Sequence, residues 1–109
     1  MALDIRKIAE DMFNAAIPIL KEDAPGIAGF AEGEFKKLAQ QLVTIEAELI
    51  AGQINPEQAK LLVEMQKSAA RVVLLTAKGL SLLTVEKALN AAIDVVRAVV
   101  NTAAKVAVL

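Results

Sequence analysis

Residues 82–109 read as one helix whose charged side chains are confined to a single narrow arc. At about 100° per residue from Asn90, the residues Glu86, Lys87, Asp94, Arg97, Asn101 and Lys105 fall between roughly −40° and +60°. The rest of the circumference is Ala, Val, Leu and Ile, broken only by Thr84 and Thr102. A surface helix needs an apolar stripe only a little over about 100° wide. This one must therefore be covered on several sides. It holds twelve Val, Leu or Ile side chains. Their full burial corresponds to on the order of 20–35 kcal/mol of hydrophobic driving force. Ala88 and Ala92, and then Ala103 and Ala107, repeat at four residues, a spacing that permits close helix approach.

That surplus makes the helix the expected place of contact with a second copy or with lipid. Leu89, Ala92, Ile93, Val96, Val99, Val100, Ala103 and Val106 are the expected interface. Glu86, Asn90, Asp94, Arg97, Asn101 and Lys105 form a polar stripe, facing either bulk water or a polar seam shared between copies. An Asp at Val96 or Val99 would put an unpaired charge on the apolar arc, and is expected to dissociate or unfold the protein.

The remaining chain also has helical spacing. Ile5, Ile8, Met12, Ala15 and Ile19 recur at three and four residues, which predicts a first helix from Leu3 to about Ile17. Pro18 should end or kink it, and Asp23-Ala-Pro-Gly marks a turn. Phe35, Leu38, Leu42, Ile45 and Leu49 predict a second helix over residues 30–51 with a short heptad seam. Gly52 fits the position just past its end. Asn55, Pro56 and Gln58 give a strong start signal for a third helix, 56–78. The connection is short, so helices two and three should form an antiparallel hairpin. Leu62, Met65, Ala69 and Val72 are expected to face helix two, with Lys60, Glu64, Lys67, Arg71 and Lys78 on one solvent stripe.

Lys78-Gly79-Leu80-Ser81 poses a choice between one helix of over fifty residues and a break. The polar residues before and after it lie roughly 140° apart at the ideal helical step. One straight helix facing one core would not turn its polar face so abruptly. A break is favoured, with Gly79 at C′, Leu80 at C″ and Ser81 as the next N-cap.

Composition narrows the chemistry. The chain has 109 residues and is 56% hydrophobic but only 3% aromatic. It contains no His, Cys, Trp or Tyr. Zinc, haem and iron–sulfur sites lose their usual ligands, and the hydroxyl groups have no His to activate them. Glu32/Glu34 and Glu46/Glu48 are spaced i,i+2 and point to different sides of a helix. The glycines of residues 25–33 lack the Gly-Lys-Ser/Thr ending of a phosphate loop. With three Phe and a net charge of −1 there is no stacking platform or basic groove for nucleic acid.

The charge is asymmetric. Residues 1–55 carry five basic and nine acidic groups, net −4; residues 56–109 carry seven basic and four acidic, net +3. Complementary packing of the two halves is the simpler account of this; attraction of the C-terminal half to anionic lipid is the other. Met1–Lys7 is already charged and no secretory signal is visible. No uncharged apolar run reaches the length of an ordinary membrane span.

The fold is expected to be all-α, a single helical domain. It would be a bundle of three to four helices, with the antiparallel hairpin 30–51/56–78 and the apolar helix 82–109. The expected function is a non-enzymatic structural or interaction protein in the cytoplasm or in an assembly. It would form a homo-oligomer through the C-terminal helix and Leu-rich faces of helix three, with no cofactor, metal, nucleic acid or small-molecule substrate. The alternative is a membrane-active protein, holin- or pore-like, whose C-terminal helix inserts into or lies on lipid.

Overall fold

The computed structural model describes residues 3–77, 79–105 and 107–109. Its elements are α1 (Ile5–Asp23), α2 (Ala28–Ile50), α3 (Pro56–Leu75) and α4 (Leu82–Ala104). No strand occurs among the described residues. This is an all-α bundle, and α3 and α4 are separate helices.

Local hydrogen bonding sets most of the boundaries. The Asp4 carboxylate accepts from the Arg6 and Lys7 amides and starts α1. At the end of α2 the Gly52 amide donates to the Leu49 carbonyl and the Gln53 amide to that of Glu48. That 5→2 and 6→1 pair is a Schellman motif, with Gly52 at φ +75° in the required left-handed region. The expected capping box opens α3: Gln58 N donates to Asn55 Oδ1 at 2.8 Å, and Asn55 N donates to Gln58 Oε1 at 2.9 Å. Ser81 caps α4 by accepting from the Thr84 amide.

Four expectations need correction. Pro18 does not end α1, which continues to Asp23. Pro18 and Asn14 are both exposed, so the Asn14 carbonyl that loses its donor can bond water instead. The third helix stops at Leu75 rather than at residue 78, and its C-cap is Thr76, so Gly79 is not at C′. Gly79 instead carries the connection at φ +95°. The last helix stops at Ala104, where Lys105 turns left-handed (φ 62°). Beyond it the Val108 and Leu109 amides fold back onto Asn101 Oδ1, each at 3.0 Å.

The fourth correction concerns α3. Its buried residues are Ala59, Val63, Ala70 and Leu74. Met65, Ala69 and Val72, expected to face α2, are exposed, and Leu62 is half-buried. Of the expected solvent stripe, Lys67 and Arg71 are half-buried, Lys60 and Glu64 are exposed, and Lys78 lies outside the described residues. The helix is apolar on two opposite sides, and the side with Ala59, Val63, Ala70 and Leu74 faces inward. Arg71 is drawn toward α4 by its ion pair with Glu86.

A single core cluster draws from all four helices. Phe35, Met12, Leu20, Leu42, Leu74 and Leu89 are its largest fully buried side chains. The most extensive contact is between α1 and α4, followed by α1 with α2 and α2 with α3. Asp23 at the end of α1 meets Thr84 at the start of α4, so those two helices run antiparallel. Ala16, Ala88 and Ala92 are all fully buried, as close helix approach requires. The radius of gyration, 13.6 Å, is near the ~13 Å expected of one compact domain this size. The two halves of the chain meet through apolar contact, and among the described residues no ion pair joins residues 1–55 to 56–109.

Candidate functional site: the exposed apolar faces

The bundle itself covers most of the apolar arc on α4. Leu89, Ala92, Ile93, Val96 and Val100 are buried by helices of the same chain. Ala103 is half-buried, Val99 is 49% exposed, and Val106 lies outside the described residues. Among the described residues of the expected interface, then, Val99 is the member offering substantial apolar surface.

The α4 circumference divides into three parts. The buried residues span from Ala88 at roughly 160° through 180° to Ala104 at roughly −40° of the arc set from Asn90, with Val99 half open near one edge. The polar stripe follows on the side turned away from the core. Asn90, Asp94, Arg97 and Lys105 are exposed, while Glu86 and Asn101 are half-buried. Those two are engaged by other parts of the chain: Glu86 pairs with Arg71 of α3, and Asn101 holds the C-terminal segment. Asp94 and Arg97 pair with each other at 2.8 Å across one helical turn. The third part, with Ala91, Val95, Ala98, Val99 and Thr102, is mostly small and exposed or half-buried.

On α4 Leu82, Leu83 and Val95 are exposed as well, but of these only Val95 shares a face with Val99; the longer unpartnered row along a single helix face is on α3. Leu61, Met65 and Val72 are 62%, 55% and 63% exposed, and Leu75 is 37% exposed. With Ser68 between Met65 and Val72, the spacing runs four, three, four, three, the pattern of a coiled-coil seam. On the helical wheel this seam centres about 170° from the buried Val63. Glu64 and Arg71 flank one side of it. Arg71 is held in place by Glu86 of α4 and by Ser68 Oγ, which accepts from Arg71 Nη1 at 3.2 Å. The seam spacing was present in the sequence; what the sequence could not show was which of two apolar faces the bundle would bury.

Two polar clusters lie elsewhere on the bundle. The Asp23 carboxylate accepts from Thr84 Oγ1 at 2.6 Å, Ser81 Oγ at 3.3 Å and the Ser81 amide at 3.4 Å. It thereby clamps the end of α1 to the start of α4, where the helix dipole favours a negative charge. The Thr84 hydroxyl bond holds its carboxyl below the usual range, reinforced by the Ser81 donors and opposed by partial desolvation. A shallow groove between α1 and α2 is lined by Ile5, Arg6, Glu10, Phe13, Glu32 and Lys36. Its charges are mixed in sign and the groove is open. Among the described residues no three acidic side chains converge as a metal site would need. No described helix is long and apolar enough to cross a membrane.

No family, curated protein or solved structure matches this chain.

Proposed function

We propose that this chain is a non-enzymatic structural or interaction protein that works by associating with further copies of itself. The observation that carries this reading is the outward face of α3. Leu61, Met65 and Val72 are each more than half exposed on the side opposite the core. A row of large apolar side chains along one helix, rimmed by charge, is the kind of surface that marks an interface. Three polar contacts support it indirectly, because each serves the fold: Asp23 clamps two helices, Arg71 and Glu86 tie α3 to α4, and Asn101 holds the C-terminal segment.

Light scattering in detergent-free buffer, repeated with anionic liposomes, tests the proposal. A monodisperse species above monomer mass that ignores the liposomes is the expected result. A monomer that also ignores them overturns it. A monomer that partitions into the liposomes and releases trapped dye overturns it in favour of a membrane-active protein.

A further inference from the structure

We infer that the outward seam of α3 is the self-association surface, and that it pairs antiparallel with the same seam of a second copy about a two-fold axis. This inference rests on the self-association proposed above and assigns its geometry.

The register follows from the residues. In an antiparallel pair, core positions meet in layers that join the a position of one helix to d of the other, while g positions flank g positions. Placing Leu61 against Val72 of the second copy puts Met65 against its Ser68. The same register brings Glu64 beside the second copy's Arg71, and two-fold symmetry repeats every contact. Each bulky residue meets a smaller one, and both flanking pairs are of opposite charge. Arg71 is already fixed at the edge of the seam by Glu86 and Ser68, so little side-chain freedom is lost on pairing. Glu64 is the more exposed partner, 66% open at its side chain, with Lys67 beside it at 3.7 Å.

A parallel in-register pair fits worse. It would stack Met65 on Met65 and Ser68 on Ser68, and its g-to-e′ contacts would set Glu64 against Ala69 and Arg71 against Thr76. No charge would then find an opposite partner. A seam of about two heptads buries less than a standard interface, so the dimer should be concentration-dependent.

The chain has no Cys, so introduced thiols report pairing cleanly. Leu61→Cys/Val72→Cys should form a covalent dimer on mild oxidation. Residues 61 and 72 of one helix are about 16 Å apart, too far to bridge within a chain. Neither single variant should cross-link, because like positions of the two copies are separated by a similar distance. In parallel, Met65→Glu should lower the light-scattering mass to that of the monomer while keeping the wild-type circular dichroism, since Met65 lies outside the core. Val99→Glu, an equally exposed change on α4, should leave the mass unchanged.

Cross-linking by the single variants would overturn the antiparallel register. An oligomer unaffected by Met65→Glu but dissociated by Val99→Glu would move the contact to α4; self-association would stand and this inference would fall. A wild-type monomer at all concentrations overturns both.

Discussion

Val96 and Val99 sit three residues apart on the same helix, and the sequence treats them alike. Both lie on the apolar arc of α4, and an Asp at either is expected from the sequence to be disruptive. The bundle separates them: Val96 is 0% exposed and Val99 is 49% exposed. At Val96 a carboxylate would be sealed among aliphatic side chains with no partner, a change in the class that costs about 4 kcal/mol or more. Net stability of a domain this size is only ~5–15 kcal/mol. Val96→Asp should therefore unfold the protein or leave it barely folded. Val99→Asp keeps its charge in water and should change stability by about 0.5 kcal/mol or less. Urea titrations of both variants, followed by far-ultraviolet circular dichroism, check the contrast. Equal losses would mean that Val99 is covered in solution.

At the scale of elements, legibility tracks the distance over which a hydrogen bond acts. The box of Asn55 and Gln58, the Gly52 terminator and the Ser81 cap each lie within a few residues, so the residue types alone revealed them. The facing of α3 was not legible. Its two apolar sides have equally good helical spacing, and tertiary contact chose between them. The Asp23 clamp was also hidden, because Ser81 and Thr84 lie 58 and 61 residues away in sequence. Two predictions concern this junction. Gly79 has φ +95°, and a Cβ there would stand 3.1 Å from the Asp23 carbonyl oxygen. Gly79→Ala should cost ~1–2 kcal/mol from backbone strain, with crowding added, measured as a lower urea midpoint. The Asp23 carboxyl is depressed in the fold, so its contribution is fully present above the ordinary carboxylate value of about 4. That contribution fades as pH falls through the lower folded value, because the unfolded chain then binds the proton more readily. Asp23→Asn should lower the melting temperature at neutral pH, and the gap from wild type should narrow below about pH 4. A gap that holds constant to strongly acid pH would show that the carboxylate charge plays no part in the clamp.

For the whole molecule, the opposite net charges of the two halves suggest an electrostatic fold, yet the packing says otherwise. Four of the ion pairs among the described residues lie within single helices at i,i+3 or i,i+4: Lys7–Asp11, Lys37–Glu34, Lys67–Glu64 and Arg97–Asp94. Each keeps at least one partner more than half open to solvent, although Glu34 itself is buried; pairs open to water in this way contribute about 0.2–1 kcal/mol each, and salt screens them. Arg71–Glu86 is the pair that links two helices, α3 and α4, and both belong to the C-terminal half. What joins the halves is the aliphatic contact of α1 and α2 with α3 and α4, together with the neutral donors on Asp23. Raising sodium chloride from low concentration to about 0.5 M shortens the Debye length to a few ångströms. It should nevertheless move the melting temperature by no more than a few degrees. The comparison belongs in the Met65→Glu background, where dimer dissociation does not enter the transition. A steep fall with salt would mean that charge complementarity between the halves holds the bundle, against the apolar packing of α1 on α4. A small shift there, alongside weaker dimerisation of the wild type at high salt, would place the working electrostatics at the rim of the α3 seam, where Glu64 meets Arg71 of the second copy.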